Sequence, residues 1–371
     1  MSDATIVVTG SDGFVGKNLC VRLRELGNAN VAVISRAMPA KDRDSALISA
    51  DFVFHTAGVN RPQNIDEFSS GNANLTASLC RTLLDAGCRT PIVHTSSIHA
   101  SLDNPYGRSK AAAENAVEEY GRKSGADVRN LRLHNIFGKW SRPGYNSVVA
   151  TFCHNISRSL PIRIDDDDAP VSLVYIDDVV SAMVAFLESP ASGDAAMRAL
   201  PLYNTTVGHI AAKIQSFKDS RRTLIMERVG TEFDRALYAT YVSFLPTEEF
   251  SYTVPKYDDP RGTFVEMLKT QDTGQFSYFT AHPGVTRGGH YHHSKTEKFL
   301  VIRGTARFRF RHLMTNQRFE LQTSSQVPRI VETVPGWSHD ITNVGEDEMI
   351  VMLWANEIFD RNRPDTYKSA V

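Results

Sequence analysis

His290 and His292 stand two residues apart in the stretch Arg287-Gly-Gly-His-Tyr-His-His-Ser-Lys-Thr-Glu297. On a β-strand, residues two apart face the same way, so both imidazoles point to one side. Glu297 follows after a short polar turn, and His339 follows Pro335-Gly336 far downstream. Three imidazoles and a carboxylate form a nitrogen/oxygen donor set suited to a divalent transition ion, and these residue types alone admit Mn, Fe, Ni or Zn. His293 falls on the opposite face and reads as support or surface.

A second chemistry sits at Ser97, Tyr106 and Lys110. Tyr106-Gly-Arg-Ser-Lys110 spaces phenol and ammonium one helical turn apart, on one face. A neighbouring ammonium favours the phenolate and is expected to lower the Tyr106 pKa. A phenol so tuned protonates a ketone as hydride arrives from a nicotinamide. Ser97, closing an apolar strand, is placed to hold the carbonyl oxygen.

The cofactor for such a reaction has its own signature. Thr5 to Thr9 is a buried-strand run, and it enters Gly10-Ser11-Asp12-Gly13-Phe14-Val15-Gly16 and then a helix. Strand, glycine turn and helix N-terminus make an anion site for a pyrophosphate. Arg36 ends the next strand, where an NAD-preferring protein usually carries a carboxylate. An arginine there suits a 2′-phosphate, so the expected cofactor is NADPH. Ala57-Gly58, after a third strand, completes the expected cofactor wall, with Lys110 also in contact.

The elements that position these groups fall into two kinds. Strand-like runs at Thr5–Thr9, Val31–Ser35, Phe52–Thr56, Ile92–Ser97 and Arg129–His134 alternate with helical patterns such as Leu75/Leu79/Leu83 and Ser109–Tyr120. That alternation predicts an α/β Rossmann-like doubly wound parallel sheet. Helical pattern stops near Tyr241, and beyond Leu245-Pro246 short β-rich runs between turn residues predict an all-β jelly-roll barrel. The reading is therefore two domains, 1–245 and 246–371, as a chain of 371 residues invites. The run Asp165 to Asp168 reads as a solvated turn.

Composition excludes several classes. A formal net charge of −1 gives no bias toward nucleic acid, and no apolar run approaches a membrane span. The start lacks a signal-peptide pattern, and the 4 cysteines show no Cys-x-x-Cys spacing, which fits reduced thiols and a cytoplasmic location.

Residues 1–245 resemble the extended short-chain dehydrogenase/reductase (SDR) family. The resemblance is carried by Thr9-Gly10-x-x-Gly13-x-x-Gly16, Asp51-Phe-Val-Phe-His-x-Ala57-Gly58, Asn74, Ser96-Ser97, Tyr106-x-x-x-Lys110, Leu133-His-Asn-Ile-Phe-Gly138 and Tyr175-Ile-Asp-Asp178. It implies a nucleotide-sugar substrate, with Asn135 and Asn146-Ser147-Val148 lining its pocket. The stretch with Gly284, His290, His292, Glu297 and Gly304 resembles the first cupin motif, and Gly336-x-x-His339-x-x-x-Asn343 the second, with its proline displaced to Pro335. The phrases Asp258 to Glu266 and Val285 to His290 resemble metal-free deoxysugar 3,5-epimerases, whose motif histidine is the base. Here His290 would instead be a ligand, and another group would take the proton.

Over its whole length the chain is similar to a family of bifunctional capsular-polysaccharide enzymes that fuse an extended SDR to a C-terminal cupin. Val59-Asn60-Arg61-Pro62, Gly138-Lys-Trp140, Tyr145-Asn-Ser147-Val148 and Phe359-Asp-x-Asn-x-Pro-Asp365-Thr-Tyr367 carry that likeness. It implies a zinc cupin that epimerises C3 of a UDP-2-acetamido-2,6-dideoxy-4-hexulose. NADPH reduction at C4 would then give a UDP-6-deoxy-N-acetyl-talosamine, in a homodimer. The alternative is a UDP-4-keto-sugar reductase whose cupin serves only dimerisation or sugar sensing.

Overall fold

The structure, a computed structural model of the chain, describes residues 4–27, 30–254, 256–259, 262–265, 268–270, 275–357 and 362–371. Pro260, Arg261 and Glu266 of the epimerase-like phrase, and Phe359 to Arg361 of the tail phrase, lie outside the described residues.

The chain begins β1 (Ile6–Thr9), α1 (Phe14–Glu25), β2 (Val31–Ile34), α2 (Ala40–Ile48) and β3 (Phe52–His55). It continues through α3 (Asp66–Phe68), a π-helical turn (Ser69–Asn74), α4 (Leu75–Asp85), β4 (Ile92–Ser97), α5 (Pro105–Ser124) and β5 (Val128–Leu133). Next come β6 (Asn135–Phe137), α6 (Val148–Ser157), β7 (Pro170–Tyr175), α7 (Ile176–Ala185), α8 (Pro190–Arg198) and β8 (Tyr203–Thr206). Helices α9 (Val207–Thr223) and α10 (Glu232–Ser243) flank the short β9 (Ile225–Met226). Strands then dominate: β10 (Ser251–Thr253), β11 (Lys256–Asp259), β12 (Gly262–Val265), β13 (Lys269–Thr270), β14 (Gln275–Ala281), β15 (Thr286–Tyr291) and β16 (Glu297–Arg303). The last are β17 (Thr305–His312), β18 (Arg318–Ser324), β19 (Arg329–Glu332), β20 (Trp337–Asn343), β21 (Met349–Ala355) and β22 (Tyr367–Lys368).

By contact the chain divides into two units, residues 1–147 with 171–204 and residues 148–170 with 205–371. Among the described residues, the first unit holds a five-stranded parallel sheet in the order β2-β1-β3-β4-β5. Its core is aliphatic: Val7, Leu47, Val53, Leu83, Ile92 and Val117 are wholly buried. Each such side chain contributes roughly 1.5–3 kcal/mol by leaving water. Because the chain steps from β1 to β2 on one side and returns to β3 on the other, the strand order reverses at the β1/β3 junction. The carboxyl ends of those strands splay there, which is where α/β sheets bind ligands. Buried His55 braces the junction, with Nδ1 2.7 Å from Thr9 Oγ1 and Nε2 2.9 Å from Thr76 Oγ1.

Helix α5 carries the Tyr/Lys pair, and its ends are defined by sequence. Asn104 caps it by accepting from Gly107 N–H at 2.8 Å, Pro105 occupies the first turn, and Gly125 closes it at φ 75.

The second unit is built on two five-stranded sheets, β10-β19-β16-β21-β14 and β18-β17-β20-β15-β22, whose pairings are antiparallel. Alternation along β17 and β20 packs Phe308, Phe310, Trp337 and Ile341 inward. This is the jelly-roll expected from the β-rich C-terminal third. The units are not separated by one cut at residue 245, because helices α6, α9 and α10 group with the β-sheets. The physical tie is ionic: Glu332 of β19 receives Arg221 of α9 and Lys298 of β16, and Tyr238 of α10 donates to it at 3.4 Å. Polar side chains in an otherwise helical stretch give no warning of such a long-range bond.

Candidate redox cleft and candidate metal centre

The turn after β1 can only be built with glycine. Gly10 has φ +68, and a Cβ there would stand 2.7 Å from the Ala57 backbone. A Cβ on Gly16 would lie 2.2 Å from Gly10 O, so α1 packs directly on the turn. Gly13 caps α1 and, having no side chain, makes no side-chain cap hydrogen bond to the helix N-terminus. A cleft of about 660 Å³ results, lined by Gly10, Asp12, Gly13, Ser35, Arg36, Arg43 and Ala57 among others. Phe14, Val15 and Gly16 open the helix behind it. A dinucleotide fits this cradle: small backbone at the strand end, a bare helix N-terminus and cationic side chains at one rim.

Arg43 was not singled out from the sequence. It sits on α2 within Lys41-Asp-Arg-Asp44, which reads as a solvated charge run, and α2 returns it to the Arg36 rim. Its one legible signal is its place seven residues beyond Arg36, in the first turns of the next helix.

Ser97 and Tyr106 lie against each other. Burial raises the Tyr106 pKa, and the Ser97 hydroxyl opposes it. The Tyr106 hydroxyl donates to Asn60 Oδ1 at 3.3 Å, and its ring rests on Phe68 at 5.5 Å. The expectation that Lys110 lowers this pKa is therefore corrected. Lys110 Nζ donates to Thr95 O at 2.8 Å and is not among the groups that shift the phenol, whose pKa is raised chiefly by burial. Lys110 is itself buried, which pushes its pKa down to about 8. Its Nζ reaches the Gly58 side, 3.8 Å from where a Gly58 Cβ would stand.

Asn74, picked from the sequence motif, is exposed. Buried Asn72 stands two residues before it: Oδ1 accepts from Val59 N–H at 2.8 Å, and Nδ2 donates to Val59 O and Ser109 Oγ, each at 3.0 Å. Asn72 is the buried residue of the π-helical turn at Ser69–Asn74. Tyr145 also reaches this corner, accepting from Arg61 N–H at 3.3 Å, whereas Asn135 and Asn146 are exposed.

The second cluster forms from three separate strands' ends. Antiparallel β15 and β20 place His290 directly opposite His339, across a bulge at Gly288/His290. His292 lies just past the end of β15, and Glu297 opens β16. Ring centroids are 5.0 Å apart for His290/His292, 4.8 Å for His290/His339 and 5.1 Å for His292/His339. One donor atom from each of His290, His292, Glu297 and His339 lies within 4.8 Å of the others. The displaced Pro335 does not spoil the turn: Gly336 takes φ +81 and donates to His292 O at 3.2 Å.

Electrostatics here suit a cation. Burial, then His339 and His292, push His290 down to about 3, so it is a neutral donor. Burial alone would raise Glu297, yet His292 and Lys295 hold it well below the carboxylate range. Among the described residues neither ring nitrogen of buried His339 has a hydrogen-bond partner, and Nε2 stands 3.7 Å from Glu297 Oε2. Orphaned buried nitrogens facing a carboxylate are what a metal site looks like to a hydrogen-bond census. The residues present therefore fit a divalent ion. His293 lies outside the cluster, packed between Tyr291 and Tyr367.

Residues 6–199 match the NAD dependent epimerase/dehydratase family, and residues 257–367 match the polysaccharide biosynthesis C-terminal domain. The chain is 54% identical over 366 residues to the UDP-2-acetamido-2,6-beta-L-arabino-hexul-4-ose reductase of Pseudomonas aeruginosa, spanning 99% of this chain and 98% of that protein. It is similar to the crystal structure of the capsular polysaccharide assembling protein CapF from Staphylococcus aureus. There the identity is 38% and the TM-score 0.67, over 99% of this chain and 100% of that one. The Bordetella bronchiseptica enzyme WbmF, solved with NAD+, shares the fold at 19% identity and TM-score 0.52, over 65% of this chain and 92% of that one.

Proposed function

The chain belongs to the NAD dependent epimerase/dehydratase family, and on that footing we propose that it is a bifunctional UDP-sugar epimerase and NADPH-dependent 4-ketoreductase. The substrate on this reading is a UDP-2-acetamido-2,6-dideoxy-4-hexulose. The cupin inverts C3, and the dinucleotide-binding unit reduces C4 to give a UDP-6-deoxy-N-acetyl-talosamine for capsule or O-antigen synthesis. We take it to work as a cytoplasmic homodimer with zinc in the cupin. The name of the Pseudomonas relative supports the reductive half.

The observation that carries the reading is that one chain holds both a Ser97/Tyr106 pair beside a glycine-turn cleft and a buried cluster of three histidines and a glutamate. A 4-keto sugar needs both. Its ketone acidifies the C3–H bond, and the same ketone accepts hydride. When bound, the nicotinamide supplies that hydride, and a divalent ion supplies Lewis acidity toward the ketone oxygen.

The chain's own groups do the rest. Tyr106, kept protonated by burial, gives its proton to O4 as C4 gains hydride. Ser97 donates to the same oxygen and holds it. Lys110 meets the cofactor at the Gly58 side, and Arg36 with Arg43 meets its 2′-phosphate. His290, His292, Glu297 and His339 hold the ion, so His290 is a ligand and not a base.

The test uses the 4-keto UDP-sugar in D₂O. Tyr106→Phe should abolish NADPH oxidation yet leave deuterium entering at C3. His290→Ala should stop that exchange, yet still oxidise NADPH when given the already epimerised ketone. Reduction surviving in Tyr106→Phe would overturn the active-site assignment. Unchanged exchange in His290→Ala would leave the cupin a dimerisation or sensing module.

A further inference from the structure

We propose that Asp365, in the C-terminal tail, is the positioning residue of the His290/His292/Glu297/His339 cluster, its carbonyl orienting the His292 ring and its carboxylate holding the turn that joins His292 to Glu297. The proposal rests on the metal reading of that cluster.

His292 and residues 293–296 lie between β15 and β16, outside the ladder that holds His290 and His339. Something else must hold them. Asp365 Oδ1 accepts from His293 N–H at 2.9 Å, and Oδ2 accepts from Ser294 N–H at 2.7 Å, Lys295 N–H at 2.6 Å and Ser294 Oγ at 3.1 Å. Three successive backbone amides converge on one carboxylate, an anion nest filled from within the chain. Arg235 of α10 adds a bond to Ser294 Oγ and stands 4.0 Å from Asp365 Oδ2.

The backbone carbonyl of Asp365 meets His292 Nδ1. A carbonyl has no proton to give, so Nδ1 must carry one and donate. In the neutral ring that tautomer leaves the Nε2 lone pair facing the cluster, where Nε2 is 3.1 Å from Glu297 Oε2. Adjacent donors on one first-row ion, each about 2.0–2.2 Å from it, stand roughly 3–3.5 Å apart. The tail itself is well held: β22 pairs with β15 through His290↔Lys368 and Tyr291↔Tyr367, and Ser338 Oγ donates to Ser369 O at 2.6 Å. Residues 365–369 thus brace all three ligand-bearing segments of the site, from a sequence position outside both cupin motifs.

Full-length wild type, Asp365→Ala and Asp365→Asn are stripped with chelator and titrated with Co²⁺, following the visible d–d absorption. Zn²⁺ affinity is then measured by chelator competition, and NADPH binding reports that each variant is folded. Asp365→Ala should bind Zn²⁺ about 10- to 100-fold more weakly and alter the Co²⁺ spectrum. Asp365→Asn should fall between, since it keeps one acceptor oxygen but turns an NH₂ toward N–H donors. Wild-type affinity and an unchanged spectrum in Asp365→Ala would overturn the proposal. If that variant does not fold, the same result in Asp365→Asn would do so. Wild-type protein that takes up neither ion would instead sink the metal reading.

Discussion

Asn72 Nδ2 donates to Ser109 Oγ across 3.0 Å, and Ser109 Oγ in turn donates to Tyr106 O at 2.8 Å. With its bonds to both polar groups of Val59, Asn72 ties the loop after β3 to the first turns of α5. A buried amide thus links that loop to the turn of α5 that carries the phenol.

Asn72→Ala should therefore lower kcat for reduction far more than it weakens NADPH binding. It strands the Val59 N–H and destabilises the fold by about 1–3 kcal/mol. Steady-state kinetics beside urea denaturation checks this. An unchanged kcat would show that the Asn72 bonds do not position Tyr106.

Lys110 should set a basic limb in the pH profile. Its folded pKa of about 8 lies below the usual 10.5 because burial disfavours the ammonium. kcat/KM for reduction should fall above pH 8, about tenfold per pH unit once well past the limb, and Lys110→Met should erase the limb along with most activity. The stability effect runs the other way. Between about 8 and 10.5 the unfolded chain binds more protons than the folded one, so stability rises with pH. Denaturation midpoints of wild type relative to Lys110→Met should climb across that window.

Arg36 and Arg43 share the cleft rim. Replacing either with alanine should raise the Kd for NADPH by about 10- to 100-fold, the loss of a charge-assisted bond. The Kd for NADH should hardly move. Equal weakening of both cofactors, read by fluorescence titration, would mean that the arginines do not meet a 2′-phosphate.

Glu332 is buried between Arg221 and Lys298. Glu332→Gln removes the carboxylate between two buried basic groups and should cost about 3–5 kcal/mol. Urea unfolding should report the loss, with α9, α10 and the β-sheets released together, since the residue joins them. A separate, unshifted β-sheet transition would argue against that coupling.

Much of this protein is written in local spacing. Gly10, Gly13 and Gly16 fall where a strand must turn into a helix. Tyr106 and Lys110 are one turn apart because α-helical rise makes them so, and His290 and His292 stand two residues apart at the end of one strand-like run. These features follow from backbone geometry within a few residues, which any sequence window contains. Chain return decided the remainder. The β15/β20 register puts His339 opposite His290, the turn before α4 buries Asn72, α2 folds Arg43 back to Arg36, and the tail brings Asp365 to His292. The Tyr106 pKa also belongs to this group, because burial depends on what packs around the ring and not on the residue one turn away. Spacing encodes what one element presents, but which elements meet depends on how the whole chain buries its apolar surface.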